Sequence, residues 1–163
     1  MEKTVYTKDI ANKKIFVKRE FEAPLETVWK AWTDSKILDQ WWAPKPWKAK
    51  TKSMDFREGG SWIYCMCGPN DEEMWSRTNF QNLVPLKSYE GTDIFCNDDG
   101  NENPDLPRMN WKLNFKESGN RTTVEVEVTF NSEEDLNKIV EMGFEKGFAS
   151  AHNNLDELLK DLK

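Results

Sequence analysis

A strict two-residue alternation between residues 109 and 130 constrains the fold more than any other feature of the sequence. Large apolar side chains occupy every second position on both sides of a short polar segment. They are Met109, Trp111, Leu113 and Phe115 before it and Val124, Val126, Val128 and Phe130 after it. Side chains of a strand point alternately to its two faces, so this pattern predicts two antiparallel strands with one apolar face and one wet face. The intervening Glu-Ser-Gly-Asn at 117–120 predicts the hairpin turn.

The same period extends back to residue 48 and predicts further strands. We expect one strand just after Gly59-Gly60, a second over 74–83 and a third over 86–96. KIFVKREF at 14–21 predicts a strand near the start of the chain. The middle of the chain is therefore expected to form an antiparallel sheet, and its apolar face needs a covering element.

Helical periodicity appears on both sides of this sheet segment. LETVWKAW, after Pro24, predicts one short helix, and Asp34 or Thr33 can cap a second that ends before Pro44. The segment 131–134 can cap a final helix that reaches about residue 162. We therefore expect an α+β fold, in which a curved antiparallel sheet wraps around one long C-terminal helix and two short helices follow the first strand.

Glycines interrupt the apolar stripe of the expected final helix. Gly143 and Gly147 lie near its centre, where a glycine costs roughly 1 kcal/mol relative to alanine. Missing side chains at these positions would leave room between the helix and the sheet. The sequence thus predicts a cavity in the place where the two layers meet.

Length and charge limit the classes of function. The 163 residues contain no linker composition, which predicts a single domain over 1–163 with a core of about 14–162. The net charge of -6, with dispersed Lys and Arg, gives no basic surface for nucleic acid. No segment approaches the ~18 apolar residues of a membrane span, and the N-terminus has no apolar signal segment. We expect no membrane insertion, a cytoplasmic location, and reduced cysteines.

Residues 40–47, QWWAPKPW, place three tryptophans around two prolines. The rings can anchor an irregular loop to the core, or they can form the wall of a cavity. Trp41 is in helical phase with Leu38, which favours the core for this ring. Trp42 and Trp47 are then expected nearer to the rim of a cavity.

These motifs, in this order, resemble the START-like, or helix-grip, superfamily. Within it the chain is similar to the family named after the C-terminal domain of the activator of Hsp90 ATPase. The resemblance covers roughly 14–162 and is carried by FEAPLETVWKAWTD at 21–34, LDQWWAP at 38–44, MDFREGG at 54–60, WIYCM at 62–66 and the run from Gly147 through Leu159. It implies a cavity between the long helix and the concave sheet face, which relatives use for lipids, hormones or other apolar ligands.

We predict that inward-facing side chains of the sheet and helix bind a small hydrophobic or amphipathic molecule. Close packing in an ordinary core is the alternative for each of them. The candidate ligand-binding residues are Trp42, Trp47, Trp62, Tyr64, Met66, Phe80, Phe95, Trp111, Leu113, Gly143, Phe144, Gly147 and Phe148. The Tyr64 hydroxyl and the indole N–H groups would serve as polar handles.

No pattern in the sequence predicts a catalytic residue, a metal site or a cofactor. His152, the one histidine, falls on the flank of the helical stripe and is expected to be partly exposed and structural. Cys65 and Cys67 supply only two thiols, which is too few for a zinc site.

The acidic segment 97–102, NDDGNE, does not fit a calcium loop. Aligning Gly100 with the required glycine of an EF-hand puts Phe95 and Leu106 at ligand positions. We expect a mobile loop here, placed where it could cover the mouth of the pocket.

Three functions remain open. The first is binding of a small apolar molecule without catalysis. The second is a protein-interaction module related to the activator of Hsp90 ATPase, with an Hsp90-type chaperone as partner. The third is an enzyme of the cyclase or hydratase type, as the superfamily resemblance allows. An enzyme would need a carboxylate or histidine inside the cavity, and the inward positions assigned above are nearly all apolar.

Overall fold

The structure is a computed structural model that describes residues 4–162. Its strands are β1 (Val5–Asp9), β2 (Lys14–Phe21), β3 (Lys48–Met54), β4 (Ser61–Cys67), β5 (Glu73–Val84), β6 (Ser88–Cys96), β7 (Met109–Ser118) and β8 (Arg121–Thr129). Its helices are α1 (Leu25–Thr33), α2 (Ser35–Trp41), α3 (Glu133–Glu141) and α4 (Phe144–Leu162). The strands form one sheet in the order β1-β2-β8-β7-β6-β5-β4-β3.

The predicted α+β helix-grip class is confirmed by this arrangement. All neighbouring strands are antiparallel, and two short helices separate β2 from β3. The alternation that predicted β7 and β8 matches their burial, because Trp111 pairs with Val128 and Leu113 pairs with Val126, all four being buried. The apolar face of the sheet packs against the helices, as an amphipathic sheet requires.

Strand β1 precedes the first strand predicted from the sequence. It pairs with β2 from Val5 opposite Lys18 to Asp9 opposite Lys14. Most of its residues are exposed, so it lacks the apolar alternation that revealed the other strands. An edge strand with two wet faces gives no periodic signal, which explains why it was missed.

The expected single final helix is two helices that meet at Gly143. Ser132 caps α3 as predicted, and its side chain accepts a hydrogen bond from the Asp135 backbone N–H at 3.1 Å. Gly143 has a φ of +90°, a conformation that ends a helix and that glycine adopts without steric cost. The apolar stripe continues across the joint, so periodicity alone could not distinguish one helix from two. Gly143 therefore does not lie in a helix interior, contrary to the sequence prediction.

The predicted tight bend at Gly59-Gly60 is present and fixes β4 beside β5. A Cβ on Gly60 would lie 2.0 Å from the Asp55 carbonyl oxygen, so no other residue fits without moving the backbone. Gly59 donates a backbone hydrogen bond to Phe80, and Phe80 donates one to Gly60. This turn sets the start of the strand that carries Trp62 and the residues after it.

The acidic segment 97–102 does not cover the face of the sheet where a pocket was predicted. Two backbone N–H groups of the turn donate to the Asn97 side chain, and Arg77 donates to the Gly100 carbonyl oxygen. A Cβ on Gly100 would lie 3.1 Å from the Ile63 side chain. Ile63 points away from the helices, since its strand neighbours point toward them. Residues 97–102 thus form a hydrogen-bonded turn on the opposite face, away from the predicted pocket, and the expected mobility of this loop stays a prediction.

None of the helices within residues 4–162 combines the length and the hydropathy that a transmembrane helix requires.

Candidate ligand-binding site

A cavity of about 190 Å³ lies between the sheet and the joint of α3 and α4. Strands β4 to β7 supply one wall, the segment around the helix joint supplies the other, and the end of α2 closes one side. The candidate residues that line it are Trp42, Tyr64, Met66, Phe95, Trp111, Gly143, Phe144, Gly147 and Phe148. Most of the residues predicted to bind a ligand are thus brought together around one space.

A second, smaller cavity accounts for other candidates. Trp62, Phe80 and Leu113 line a space of about 30 Å³ that also borders Trp42 and Trp111. Such a space has room for a water molecule or two but not for a larger ligand. These three side chains are at most 4% exposed and pack as core, which was the alternative weighed for each candidate.

The three tryptophans of QWWAPKPW have different environments. Trp41 is fully buried and donates its indole N–H to the Ala31 carbonyl oxygen at 2.9 Å, so the prediction of a core anchor is confirmed. Trp42 lines both cavities, and its indole N–H lies 3.0 Å from the Tyr64 hydroxyl oxygen, to which it donates. Trp47 is half-buried and is not among the residues that line either cavity. Trp41 thus anchors the loop and Trp42 forms a wall of both cavities, whereas Trp47 lines neither of them.

Sequence reasoning missed a carboxyl group inside the cavity. Asp93 on β6 is 7% exposed and borders both spaces. Its Oδ1 accepts a hydrogen bond from the Thr78 hydroxyl at 2.8 Å. Burial raises the pKa of this carboxyl to about 7, because the charged form loses its hydration. The alternation of β6 could have placed it, since Asp93 shares a face with Tyr89 and Phe95.

Tyr64 and Ser76 add hydroxyl groups beside this carboxyl. The Tyr64 ring stacks on Trp62 with ring centroids 4.0 Å apart. Burial raises the pKa of the Tyr64 phenol well above its ordinary value, and the nearby Asp93 charge raises it further. Hydrogen bonds from Trp42 and Ser76 act in the opposite direction but are weaker influences. The phenol therefore remains protonated near neutral pH, and the cavity has a polar region within an apolar wall.

Five further apolar lining residues were not among the predicted candidates, although Met109 shares the alternating apolar face of Trp111 and Leu113. They are Pro44, Met74, Met109, Ile139 and Met142. Ile139 belongs to α3, whose separation from α4 was not anticipated. Met74 and Met142 are 38% and 45% exposed and border the cavity at the protein surface.

His152 is buried, contrary to the prediction of a partly exposed residue. Its exposure is 1%, and its ring lies 4.1 Å from that of Phe148. Burial lowers the pKa of the imidazole to about 3, and the charge of Arg19 contributes in the same direction. The Nδ1 atom lies 3.1 Å from the Thr4 hydroxyl oxygen. Phe148 is a neighbour on the same helix, but Thr4, Phe21 and Trp32, which also contact His152, lie far away in sequence, so helical phase could not reveal its burial.

The cysteines lie apart from the cavity. The Sγ atoms of Cys65 and Cys67 are 3.3 Å apart on the face of β4 that points away from the helices. Burial and the hydrogen bond with Cys67 raise the pKa of Cys65 to about 12. Within the described part of the chain, no three His, Cys, Asp or Glu side chains are placed to hold a metal ion.

An antiparallel sheet that grips a C-terminal helix, with a cavity between them, defines a START-like domain of the helix-grip type. The chain belongs to the family described as activator of Hsp90 ATPase homolog 1-like protein, whose model matches residues 22–160. Membership in this family and the fold support a ligand-binding or protein-interaction module in general.

Solved structures agree with this assignment. A solution structure of a protein from Arthrobacter aurescens is 29% identical, covers 96% of this chain and 91% of that chain, and has a TM-score of 0.90. A crystal structure of a protein from Mycobacterium smegmatis is also 29% identical, covers 96% of each chain, and has a TM-score of 0.89. The AHSA1 protein from Silicibacter pomeroyi, at 17% identity and a TM-score of 0.72 over 92% of this chain and 99% of that chain, shares the fold. Comparison with curated proteins gave no match.

Proposed function

We propose that this protein binds a small apolar or amphipathic molecule in the cavity between the sheet and the α3–α4 joint. The observation that carries this proposal is the space of about 190 Å³ lined mainly by aromatic and methionine side chains. Ligand sites in proteins are typically concave, mostly apolar and furnished with a few polar groups. This space opens at the protein surface beside two glycines and has that composition, which supports binding of a small molecule.

The chemistry required of the site is desolvation and shape. Burying apolar ligand surface contributes about 25 cal/mol per Å². A few polar groups then fix the orientation of the ligand, and the hydroxyl of Tyr64 and the carboxyl of Asp93 are placed to do so. No step of bond making is needed for this function.

Substitution of Gly147 tests where the molecule binds. A Cβ at this position would lie 3.8 Å from Pro44 Cγ, which is an ordinary contact, so Gly147→Ala leaves the cavity largely open. Gly147→Leu adds bulk to the cavity wall and should weaken binding of 2-naphthylmethanol by at least about tenfold, the loss expected when roughly 1.4 kcal/mol of apolar burial is removed. Tryptophan fluorescence or calorimetric titration measures the affinity, and urea unfolding checks that both variants fold. Equal affinity of the leucine variant and the wild type would refute this location.

Two other functions are kept as candidates. Membership in a family named for activation of the Hsp90 ATPase favours a chaperone-binding module, and a binding assay with purified Hsp90, followed by its ATPase rate, tests this. Asp93 supplies the carboxyl that a cyclase or hydratase would need. Binding remains the preferred function because the residues that line the cavity include one carboxyl, that of Asp93, and one phenol, that of Tyr64, but no histidine and no cysteine.

A further inference from the structure

We propose that the cavity selects molecules that carry a cationic amine on an apolar body, and that Asp93 binds the amine. This inference rests on the proposed function, since the cavity must bind a small molecule for the selection to operate. It narrows the ligand class and excludes fatty acids and other apolar carboxylates.

The distribution of charge in the cavity is one-sided. Asp93 is the only acidic residue among those lining the 190 Å³ space, and Lys, Arg and His are not represented there. Within residues 4–162 the Thr78 hydroxyl is the hydrogen-bond donor to Asp93, and it occupies Oδ1. Asp93 itself lines the cavity, and no side chain in this part of the chain donates a hydrogen bond to Oδ2, so this oxygen is available to accept one from a ligand.

The aromatic walls of the cavity also favour a positively charged ligand. The Trp42 and Trp111 rings lie 6.1 Å apart, and the Trp111 and Phe148 rings lie 5.5 Å apart, all bordering the cavity. The faces of such rings carry negative electrostatic potential and attract ammonium groups. A carboxylate ligand would lose its hydration, meet no cationic side chain and lie near a second acid. The formal net charge of -6 also draws cations toward the protein.

One feature of the cavity lining favours anions: the N-terminus of α4. Helix α4 begins at Phe144, which borders the space, and a helix N-terminus carries a partial positive charge. Glu145 lies in the first turn of α4, and α3 ends nearby at Glu141 with the opposite partial charge. These neighbours offset the helix end, so Asp93 sets the preference.

The pH dependence follows from the groups around the carboxyl. Tyr64 on β4 and Cys96 on β6 interact electrostatically with Asp93, and burial raises the pKa of both, so neither ionises below pH 8. Strand β5 presents the Thr78 hydroxyl, and its Arg77 points to the opposite face. The residues of β7, α3 and α4 that line the cavity are not titratable. Because the Asp93 pKa is about 7, ammonium affinity should fall as pH falls below this value.

Three probes with one naphthalene body test the selection: 2-naphthylmethylammonium, 2-naphthylmethanol and 2-naphthoate. At pH 8 we expect the ammonium to bind about tenfold more tightly than the alcohol, and the carboxylate about tenfold more weakly, as a charge-assisted hydrogen bond implies. In wild-type protein the ammonium affinity should fall by up to about tenfold in total as the pH falls from 8 to 5 and then level off near the affinity of the alcohol, which stays constant. Asp93→Asn should reduce the preference for ammonium over alcohol to less than about threefold. Asp105→Asn, an exposed site with the same change in net charge, should leave it intact.

The outcomes separate this inference from the function on which it rests. If the alcohol binds and Gly147→Leu weakens it, but the carboxylate binds as well as the ammonium, only the amine selection is overturned. The same holds if the ammonium preference survives in Asp93→Asn or is independent of pH. If none of the three probes binds, both the proposed function and this inference fail.

Discussion

Asp93 lies where a carboxyl group weakens the fold. It is almost completely buried among aromatic side chains, and a single hydroxyl donor satisfies one of its oxygens. Ionising such a group costs free energy that an asparagine of the same shape would not require. A residue that destabilises the folded state and faces a cavity is characteristic of a functional site.

Replacing Asp93 by asparagine should therefore stabilise the protein at neutral and alkaline pH but not at pH 4. The pKa is about 7 in the folded state against an ordinary value of 3.8, so folded protein retains a proton that unfolded protein releases between about pH 4 and pH 7. Stability of the wild type falls across this window and stays low above it. Each tenfold change in the ionisation constant corresponds to about 1.4 kcal/mol, so the variant should gain roughly 2–4 kcal/mol at pH 8.

Urea unfolding of both proteins at pH 4 and pH 8 measures this difference. His152 has the opposite dependence: its pKa is lowered to about 3, so its contribution to stability is lost as pH falls below its ordinary 6.5. That contribution is common to both proteins and cancels in the comparison. A stability difference of the same size at both pH values would contradict the assignment of the raised pKa to Asp93.

The position of Asp93 in the cavity could have been predicted from the sequence. Asp93 occupies a position in β6 whose alternation already directs it toward the helices with Tyr89 and Phe95. Asp93 was missed because only inward positions with apolar side chains were chosen as candidates. The burial of His152, by contrast, depends on Thr4 and Arg19, which lie in or beside strands far away in sequence. No local pattern encodes such a contact.

At the scale of elements, the joint between α3 and α4 shapes the cavity. Gly143 ends α3 in a left-handed conformation, whereas Gly147 lies within α4 with ordinary helical geometry. The strands and short helices were predictable because each buries one face at its own period. The joint was not, because both helices continue the same apolar stripe and only the φ of one residue separates them.

The same substitution at these two glycines should have opposite effects. Gly143→Ala places a Cβ in a left-handed conformation and should destabilise the protein by about 1 kcal/mol. Gly147→Ala adds an alanine to a helix interior with space for its Cβ and should stabilise it by up to about 1 kcal/mol. Urea unfolding of the two variants provides the measurement. Shifts of equal sign would show that the chain does not break at Gly143.

At the scale of the whole molecule, a buried arginine connects the sheet to the C-terminal helix. The Arg19 side chain on β2 has no exposed surface and donates to Asn153 and Asp156 on α4 and to Thr4 before β1. The carboxylate of Asp156 is partly exposed, so forming this ion pair costs less desolvation free energy than forming a fully enclosed one. The pair therefore holds the helix that forms one wall of the cavity.

Removing one charge of the Arg19–Asp156 pair should destabilise the protein more than replacing both residues by apolar ones. Asp156→Ala removes the negative charge opposite a buried guanidinium and should cost about 2–3 kcal/mol of unfolding free energy. Combining Arg19→Met with Asp156→Leu removes both charges while retaining volume and should recover at least half of that loss. Thermal and urea unfolding of the single and double variants measure the effect. If the double variant is less stable than Asp156→Ala, the charges stabilise the fold directly.

The residues that line the cavity range from buried to exposed. Asp93 is 7% exposed, whereas Met74 and Met142 are 38% and 45% exposed. If the proposed amine ligand binds with its nitrogen at Asp93, its apolar end lies toward the exposed part of this lining. Filled and empty protein would then expose different amounts of apolar surface at Met74 and Met142.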